Sequence, residues 1–309
     1  MEETKVVLPP VLADRVGEER VPGYEVVSWD GALPVPAAAQ DAAVWVPSYP
    51  AGPDADTIRQ ALGALGSLEV LQLLSAGVDR WQDLVPHDVT LCSGRSIHGG
   101  STAELAVAAT LAVIRDVPRY VDQQRHRSWQ AHPAGTIVGG TVLVLGAGDI
   151  GRRVAGAFTA LDAEVVQVAR QRREGVVTLD DVPALLPDVD VVVVALPHTD
   201  ATTGLVDADF LRRLKDGAVV VNVARGALVD TEALTAEVAA GRLRAALDVT
   251  DPEPLPEDHP LWELPGVLVT PHVGGGAAGW EGRAERLVRE QLRRLRSGED
   301  LLNVVAAGY

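Results

Sequence analysis

Three polar residues in the C-terminal half of the chain have side chains that could act together on one substrate. Arg225, Glu253 and His272 each follow an apolar run rich in Val, Leu and Ala, which is typical of a buried parallel strand. Because ligands of open α/β sheets bind outside the carboxyl ends of the strands, we expect the three side chains at one edge of a sheet. A fixed cation, a carboxylate and an imidazole could there hold an anionic carbonyl compound and transfer one proton to it.

A glycine-rich turn precedes these residues in the chain and matches the pattern GxGxxG. A predicted strand at residues 141–145 leads into the turn and a predicted helix at residues 150–161 leaves it, as a dinucleotide-binding fold requires. Such a turn lets the backbone approach a pyrophosphate held at the helix N-terminus. The alternative is a glycine turn kept only for close packing of strand and helix. The candidate cofactor-binding residues of the turn are Gly146, Gly148, Asp149, Ile150 and Gly151.

The end of the next predicted strand, at residues 164–168, indicates which dinucleotide is preferred. A carboxylate at this point would accept hydrogen bonds from the ribose diol of NAD, but the chain has Ala-Arg-Gln-Arg-Arg at residues 169–173. Guanidinium groups bind an additional ribose phosphate, whereas a carboxylate repels it. We therefore predict a preference for NADP(H) through Arg170 and Arg172, with NAD(H) still possible. A solvated basic loop at the strand end is the alternative.

Several short motifs together resemble the D-isomer-specific 2-hydroxyacid dehydrogenase family, and the resemblance covers nearly the whole chain. Their order and spacing are similar to those of the family, and the likeness is to its glyoxylate and hydroxypyruvate reductases. The arginines after the second strand depart from the pattern, because many relatives carry an acid there. Besides the glycine turn, the motifs are Ser75-Ala76-Gly77-Val78-Asp79, Leu196-Pro197-His198-Thr199, Thr202-Thr203-Gly204, Asn222-Val223-Ala224-Arg225-Gly226, Asp248-Val249, Glu253-Pro254 and Thr270-Pro271-His272.

The resemblance implies a role for each of the three polar residues, and their chemistry agrees with it. Arg225 would bind the substrate carboxylate and polarise the ketone with its permanently charged donor set. His272 would protonate the ketone oxygen during reduction and take the proton back in the reverse reaction. Glu253 would hydrogen-bond the other ring nitrogen and favour the charged ring. Taken alone, Glu253 could equally be a solvated carboxylate in its proline-rich loop, and His272 a structural histidine at a strand end.

The resemblance also implies further residues that bind the cofactor and the substrate. Backbone N–H groups of the turn formed by Ser75, Ala76 and Gly77 would receive the substrate carboxylate. For Asp248 the alternative is a structural loop acid, and for residues 75–77 it is a tight turn. The further cofactor contacts are Leu196, Pro197, Thr203, Val223, Ala224, Asp248 and Gly274.

The activity that the resemblance implies is reversible, NADP(H)-linked reduction of a small 2-oxo acid, such as glyoxylate or hydroxypyruvate, to the D-2-hydroxy acid. Phosphite oxidation on the same scaffold is an alternative, since the enzymes that catalyse it also use arginine, glutamate and histidine. Formate oxidation is disfavoured, because related formate dehydrogenases pair the histidine with glutamine where this chain has Glu253. A nucleotide-sensing binding protein, similar to corepressors built on this fold, is the alternative from another class.

The composition limits the kind of protein and its partners. The chain has 309 residues, 47% of them hydrophobic, and a net charge of −16, which argues against binding to nucleic acid or to an anionic membrane surface. Cys92 is the single cysteine, so we expect a buried thiol and a reducing, cytoplasmic location. The N-terminal residues do not resemble a signal peptide, and no run of about 18 apolar residues could span a bilayer. No His, Cys, Asp or Glu cluster has metal-ligand spacing, so we expect no metal.

The rest of the chain alternates predicted strands and helices, which indicates parallel sheets with covered faces. Helices are predicted at residues 56–63, with Asp54 or Asp56 as the N-cap, and at residues 281–296. A long apolar helix ending at residue 115 is predicted to be capped by Ser101 or Thr102, and residues 116–139 are predicted to be irregular, with Trp129 in a packing role. The predicted strands are residues 6–8, 25–28, 42–46, 68–74, 89–92, 141–145, 164–168, 189–196, 218–223, 243–249 and 266–270.

We therefore predict an α/β protein with two doubly wound parallel-sheet domains and a cleft between them. Residues 1–98 and 281–309 would form a discontinuous, flavodoxin-like substrate domain, and residues 99–280 a Rossmann domain that binds the dinucleotide. The apolar tail at residues 301–305 would return to the first domain. The family forms a dimer through the region of the long apolar helix, so the resemblance implies a homodimer.

Overall fold

The computed structural model describes residues 3–18, 21–49 and 53–305, and the outermost residues of the predicted substrate domain, 1–2 and 306–309, lie outside these ranges. The chain divides into two compact units. Unit 1 consists of Met1–His98 and Gly276–Tyr309, and unit 2 is the continuous segment Gly99–Gly275. The division falls five residues before the boundary expected at residue 281. The assignment of the cofactor to unit 2 and of the substrate to unit 1 stays a prediction.

Unit 1 is built on a five-stranded parallel sheet with helices on both faces. The strand order is β2-β1-β3-β4-β5, the order of flavodoxin-like folds. Its helices are α1 (Pro10–Glu18), α2 (Ala55–Ala64), in which Asp54 accepts a 2.8 Å N-cap hydrogen bond from the Thr57 amide, and the long C-terminal helix Trp280–Ser297. The strands are β1 (Thr4–Leu8), β2 (Tyr24–Ser28), β3 (Val44–Trp45), β4 (Val70–Gln72) and β5 (Thr90–Cys92).

Alternate residues of the first strand enter two separate cores. Val6 and Leu8 pack with the C-terminal helix, whereas Val7 packs on the other face with Trp45. The tail returns to this sheet: the Val305 amide donates a 2.9 Å hydrogen bond to the Leu91 carbonyl. Both faces of the sheet are therefore covered, as a parallel sheet requires.

Unit 2 contains a seven-stranded parallel sheet whose strand order is β12-β11-β10-β9-β6-β7-β8. With β6 counted first, this is the Rossmann order extended by one strand, and the crossover lies between β6 and β9. Its strands are β6 (Thr141–Leu145), β7 (Glu164–Val168), β8 (Val176–Val177), β9 (Val191–Val194), β10 (Val219–Asn222), β11 (Arg244–Leu247) and β12 (Val267–Val269). Its helices are α3 (Gly99–Ile114), α4 (Val117–Arg125), α5 (Asp149–Thr159), α6 (Val182–Leu185), α7 (Ala208–Arg213) and α8 (Thr231–Ala239), so the C-terminal helix of unit 1 is α9.

The four valines of β9 explain its central position in the sheet of unit 2. All four residues of β9 are valines with no exposed surface; Val192 and Val194 pack on one face, and Val191 and Val193 on the other. A strand with apolar side chains in both directions can only be buried between two layers of helices. The predicted fold class, α/β with two parallel sheets, is confirmed.

Three local predictions for residues 99–139 were wrong. The helix after residue 98 begins at Gly99, so Ser101 and Thr102 lie within its first turn rather than at its N-cap, and Thr102 is buried. The segment after it contains α4, which was not predicted because its nine residues have few apolar side chains and none of them is buried. Trp129 is 99% exposed and packs against nothing in the part of the chain described.

Within the described ranges, no helix is both long and apolar enough to cross a membrane. Cys92 is fully buried and is not in a disulfide. Burial raises the pKa of its thiol to about 11. The thiol is therefore neutral at ordinary pH and fills core volume, which agrees with the sequence-based interpretation.

Candidate active site

The glycine turn joins β6 to α5, and its three glycines serve different purposes. Gly146 has φ +127°, and a Cβ there would lie 2.5 Å from the Ala195 carbonyl oxygen. A Cβ at Gly151 would lie 2.0 Å from the Gly146 carbonyl oxygen. Packing therefore requires both of these glycines. Gly148, the N-cap residue of α5, has nothing within 4 Å of its Cβ position, so packing does not require it.

That open space is what a phosphate needs at the N-terminus of a helix, because the free backbone N–H groups of the first turn can then approach the anion. The turn thus fits a dinucleotide pyrophosphate. The next two residues of the motif face elsewhere. Asp149 pairs with Arg153 at 3.0 Å, and its Oδ2 is buried with no hydrogen-bond partner among the described residues. Ile150 packs against the core beside the sheet.

The basic loop follows β7 and contains an ion pair that the sequence did not predict. Nη2 of Arg172 contacts both carboxylate oxygens of Asp181, at 2.5 and 2.6 Å. Hydrogen bonds hold the pKa of Asp181 below its usual range; the bond from the Thr178 amide has the larger effect and the bond from Arg172 the next. Arg173, which was not among the predicted cofactor-binding residues, reaches the Ala147 carbonyl in the glycine turn at 3.5 Å. Arg170 also makes an interaction in the structure.

The loop after β9 carries Leu196, Pro197 and Thr203 and is closed by its own threonines. The Thr202 hydroxyl donates to the Pro197 carbonyl at 2.8 Å, and the Thr203 hydroxyl donates to the Thr199 carbonyl at 3.0 Å. Nε2 of His198 lies 2.9 Å from the same Thr203 oxygen. Because the Thr203 hydroxyl donates its proton to the Thr199 carbonyl, Nε2 of His198 is the donor in its hydrogen bond with the Thr203 oxygen. These contacts give the loop a defined shape next to the glycine turn.

Arg225 lies just beyond β10, on a loop fixed by the buried Asn222. The Asn222 side chain donates to the Arg225 carbonyl at 2.8 Å and accepts from the Ala224 amide at 3.1 Å. Nη1 of Arg225 donates to the Ala224 carbonyl at 2.7 Å, and both Val223 and Ala224 are buried. The asparagine of this motif therefore has a structural role, because it sets the path of the backbone that carries the guanidinium.

The loop of Arg225 packs directly on the loop that leads to Glu253. A Cβ at Gly226 would lie 1.9 Å from the Thr250 carbonyl oxygen, so only glycine allows this approach. Thr250 in turn donates to the Pro252 carbonyl at 2.8 Å. Because β10 and β11 are neighbours in the sheet, the two loops leave the same edge and support each other.

His272 and Glu253 come together across the ends of β11 and β12. Nδ1 of His272 lies 2.6 Å from Oε1 of Glu253, and the two side chains are 47% and 42% exposed. The carboxylate accepts this hydrogen bond, so Nδ1 carries the proton and Nε2 is the nitrogen that can exchange a proton with a ligand. Since β10, β11 and β12 are adjacent, Arg225, Glu253 and His272 all follow neighbouring strands of one sheet.

The buried Asp248 anchors the backbone around His272. Its carboxylate accepts hydrogen bonds from the Thr270 hydroxyl at 2.6 Å, the Val273 amide at 2.9 Å and the Gly274 amide at 2.8 Å. Its carbonyl accepts the His272 amide at 2.8 Å, and His272 has φ +52°. Asp248 therefore has the structural role that was the alternative to a cofactor contact, and that contact stays a prediction.

The predicted substrate-binding turn belongs to unit 1. The Ser75 hydroxyl donates to the Gly77 carbonyl at 2.8 Å, which closes the turn. Next to it, His98 donates from Nε2 to the Leu74 carbonyl at 3.0 Å and stacks on Tyr49, with ring centroids 4.4 Å apart. Trp280 completes this aromatic cluster, 5.3 Å from the Tyr49 ring. His98 thus supports the turn, and the anion-binding role of residues 75–77 stays a prediction.

Chemically, the edge of the sheet in unit 2 offers a proton donor, a carboxylate that orients it and a guanidinium. Among the residues described here, no group of His, Cys, Asp and Glu side chains could hold a metal ion. The neighbouring strand ends and the glycine turn supply a surface for a dinucleotide. This combination is that of a dehydrogenase site.

Comparisons with known proteins agree with that class. Residues 107–274 match the family model for the D-isomer specific 2-hydroxyacid dehydrogenase, NAD binding domain. Human glyoxylate reductase/hydroxypyruvate reductase is 30% identical over 282 residues, which cover 84% of each chain. The chain belongs to the D-isomer specific 2-hydroxyacid dehydrogenase family.

Other relatives differ in length and in the compound that they are named for. D-3-phosphoglycerate dehydrogenase of Mycobacterium tuberculosis is 40% identical over 219 residues, which are 67% of this chain but only 41% of that protein. Among solved structures, an NADPH-dependent glyoxylate/hydroxypyruvate reductase from Sinorhizobium meliloti, in complex with NADP and sulfate, has a TM-score of 0.83 at 26% identity over the whole of both chains. A family member from Xanthobacter autotrophicus, in complex with NADPH and MES, has a TM-score of 0.84 at 29% identity and covers 99% of this chain and 98% of its own.

Proposed function

We propose that this protein is an NADP(H)-preferring oxidoreductase that reduces a small 2-oxo acid to the D-2-hydroxy acid. The observation that carries the proposal is the 2.6 Å contact between Nδ1 of His272 and Glu253, one strand away from Arg225. When bound, the nicotinamide supplies and accepts the hydride. Everything else in the reaction is proton transfer and charge stabilisation by side chains.

Each of the three residues has a defined role in the proposed reaction. Arg225 binds the substrate carboxylate and polarises the ketone, because its fork of N–H donors suits a planar anion. His272 donates the proton on Nε2 to the ketone oxygen, and accepts it again when the hydroxy acid is oxidised. Glu253 holds Nδ1, so the ring presents Nε2 throughout and its positive charge is stabilised.

The proposed cofactor preference depends on the basic loop after β7. The loop has Arg170, Arg172 and Arg173 where a carboxylate would serve NAD, and Arg173 reaches back to the glycine turn. Two relatives with these sheets were crystallised with NADP or NADPH, which supports the same choice. NAD(H) remains a second cofactor in this proposal.

We propose glyoxylate or hydroxypyruvate as the substrate rather than a phosphorylated 2-oxo acid. The likeness to the human reductase extends over 84% of both chains, whereas the phosphoglycerate dehydrogenase is matched over less than half of its length. A phosphite oxidoreductase and a nucleotide-sensing binding protein are the competing proposals from the same fold.

The test measures NADPH oxidation with glyoxylate, hydroxypyruvate and 3-phosphohydroxypyruvate, and NADP reduction with phosphite. We expect turnover with the first two, and a loss of about 10²–10⁴ in kcat for His272→Ala with cofactor binding retained. His87→Ala, a change at an exposed histidine, is the matched control and should keep full activity. Cofactor binding without turnover on any compound would favour the sensor, and turnover on phosphite alone would favour the phosphite oxidoreductase.

The remaining features follow from the same proposal. We propose that unit 2, Gly99–Gly275, is the dinucleotide-binding domain predicted at residues 99–280, and that unit 1 is the substrate domain predicted at residues 1–98 and 281–309, so that residues 276–280 belong to unit 1. We propose a cytoplasmic homodimer in which the exposed apolar surface of α4 and the fully exposed Trp129 face the second copy. Trp129 is 99% exposed and Val117 and Val121 on α4 are 43% and 41% exposed, so contact with a second copy would remove apolar surface from water.

A further inference from the structure

We propose that Asp181 is a specificity-determining residue that limits the affinity for the ribose 2′-phosphate by occupying Arg172. The inference rests on the proposed use of NADP(H) and adds a residue that opposes it. It follows from how Asp181 is held, from which atoms of Arg172 it uses, and from the charge of the loop.

Asp181 is a fixed carboxylate rather than a mobile surface acid. It closes the short turn Leu179–Asp181, and its Oδ2 accepts hydrogen bonds of 2.9 Å from both the amide and the hydroxyl of Thr178. The bond from the Thr178 amide is one half of the capping box that Thr178 and Asp181 form, and it holds the side chain whether or not Arg172 is present. The carboxylate of Asp181 is therefore held in place beside the guanidinium of Arg172.

The atoms that Arg172 uses matter for phosphate binding. A guanidinium binds a phosphate in bidentate fashion along one of two edges, Nε with Nη2 or Nη1 with Nη2. Both edges include Nη2, and this nitrogen contacts both oxygens of Asp181. Nη2 has two N–H groups, so the ion pair leaves at most one of these edges for a 2′-phosphate, and it also neutralises the charge of Arg172 that would attract the phosphate.

The charges of the loop lead to the same result. Between residues 170 and 181 the chain has three arginines, and it also has three acids, Glu174, Asp180 and Asp181. The loop thus has no net charge to attract a dianion. Of the three acids, only Asp181 forms an ion pair with an arginine of this loop in the part of the chain that the structure describes.

The neighbouring Asp180 provides a matched control. It is exposed, and no hydrogen bond or ion pair of its side chain occurs among the described residues. Asp180→Asn and Asp181→Asn change the net charge equally, one residue apart. Only the second releases Arg172, and it leaves an amide oxygen that can still accept from Thr178.

The experiment measures binding of adenosine 2′,5′-bisphosphate and of ADP by calorimetry at fixed ionic strength, in the full-length protein. We expect Asp181→Asn to bind the 2′,5′-bisphosphate about three- to tenfold more tightly, the range of one surface ion pair and its replacement by phosphate contacts. Affinity for ADP, which lacks the 2′-phosphate, should not change. Asp180→Asn should change neither affinity by more than about twofold.

A double mutant identifies the arginine through which the effect acts. Arg172→Ala should cost little affinity in the wild-type background and should remove the whole gain in the Asp181→Asn background, because the two residues are coupled. Unchanged or weaker binding by Asp181→Asn, or an equal gain from Asp180→Asn, would overturn the inference. A wild-type protein that binds ADP as tightly as the 2′,5′-bisphosphate would instead overturn the proposed cofactor preference, since the role of Asp181 is measured between variants.

Discussion

Replacing Gly226 by alanine tests whether the contact between two loops holds the active site together. The added Cβ would lie 1.9 Å from the Thr250 carbonyl oxygen, 2.1 Å from its carbon and 2.7 Å from the Asp251 nitrogen. All three are backbone atoms, which cannot rotate away as a side chain can. The loop of Arg225 and the loop leading to Glu253 must therefore separate.

The size of the effect follows from this distance. An ordinary contact of a Cβ is 3.4–4 Å, so the loops must move apart by roughly 1.5 Å. Overpacking of this kind costs about 1–3 kcal/mol of folding free energy. A displacement of about 1 Å in a catalytic group can cost about 10²-fold in rate. We therefore expect Gly226→Ala to lower both the unfolding midpoint in urea and kcat/KM for glyoxylate.

Gly156→Ala is the control for the loss of a glycine as such. Gly156 lies exposed on α5, and nothing is within 4 Å of its Cβ position. Alanine there should stabilise the protein by roughly 0.5–1 kcal/mol, because glycine is a poor helix residue, and should leave kcat/KM unchanged. If Gly226→Ala retained the wild-type unfolding midpoint and kcat/KM, the contact would not position the site as argued.

Three further changes test other parts of the structure. Asn222→Ala leaves two backbone groups of the Arg225 loop without their buried partner and should cost about 1–3 kcal/mol in urea unfolding, together with activity; an unchanged midpoint would contradict this. Hydrogen bonds from Arg293 and Arg294 lower the pKa of Glu290 to about 2 from its ordinary 4.5, so its stabilising effect is present above that ordinary value and is lost as the pH falls through about 2. The stability difference between wild type and Glu290→Gln should therefore be constant above about pH 5.5 and shrink below it, and a difference that does not change with pH would refute the assignment. Trp129→Ser should convert the proposed dimer to a folded monomer in sedimentation velocity, since the side chain is 99% exposed in the single chain; an unchanged sedimentation coefficient would rule Trp129 out of the interface.

Much of the fold could be predicted because the buried strands of unit 2 are nearly continuous runs of apolar residues. A run such as the four valines of β9 predicts a strand that is buried on both faces. The alternation of such runs with helical segments predicts a parallel sheet. Elements that bury few side chains could not be found in this way. The helix α4 has no buried residue, and the start of α3 at Gly99 was missed because glycine is a poor helix residue and the cap-forming Ser101 and Thr102 follow it in the chain.

The candidate site was predictable to a different degree for each residue. The pairing of His272 with Glu253, which 19 residues separate in the chain, was implied by the family resemblance, and the strand-end positions agreed with it. The pairing of Arg172 with Asp181 could not be inferred, because it depends on how the loop after β7 turns back through Thr178. The anchoring role of Asp248 was likewise invisible, since its partners are mostly backbone amides that every residue except proline possesses.

The division of the chain has a consequence for the newly made protein on the ribosome. Unit 2 is one uninterrupted stretch, but the core of unit 1 takes Val6 and Leu8 from the first strand and Val288 and Leu292 from the last helix. At a translation rate of about 5–20 residues per second, the early strands wait on the order of ten seconds or more for that helix to be synthesised. The inserted unit can thus complete its folding first, while the apolar face of the opening strands stays uncovered and in need of protection from aggregation.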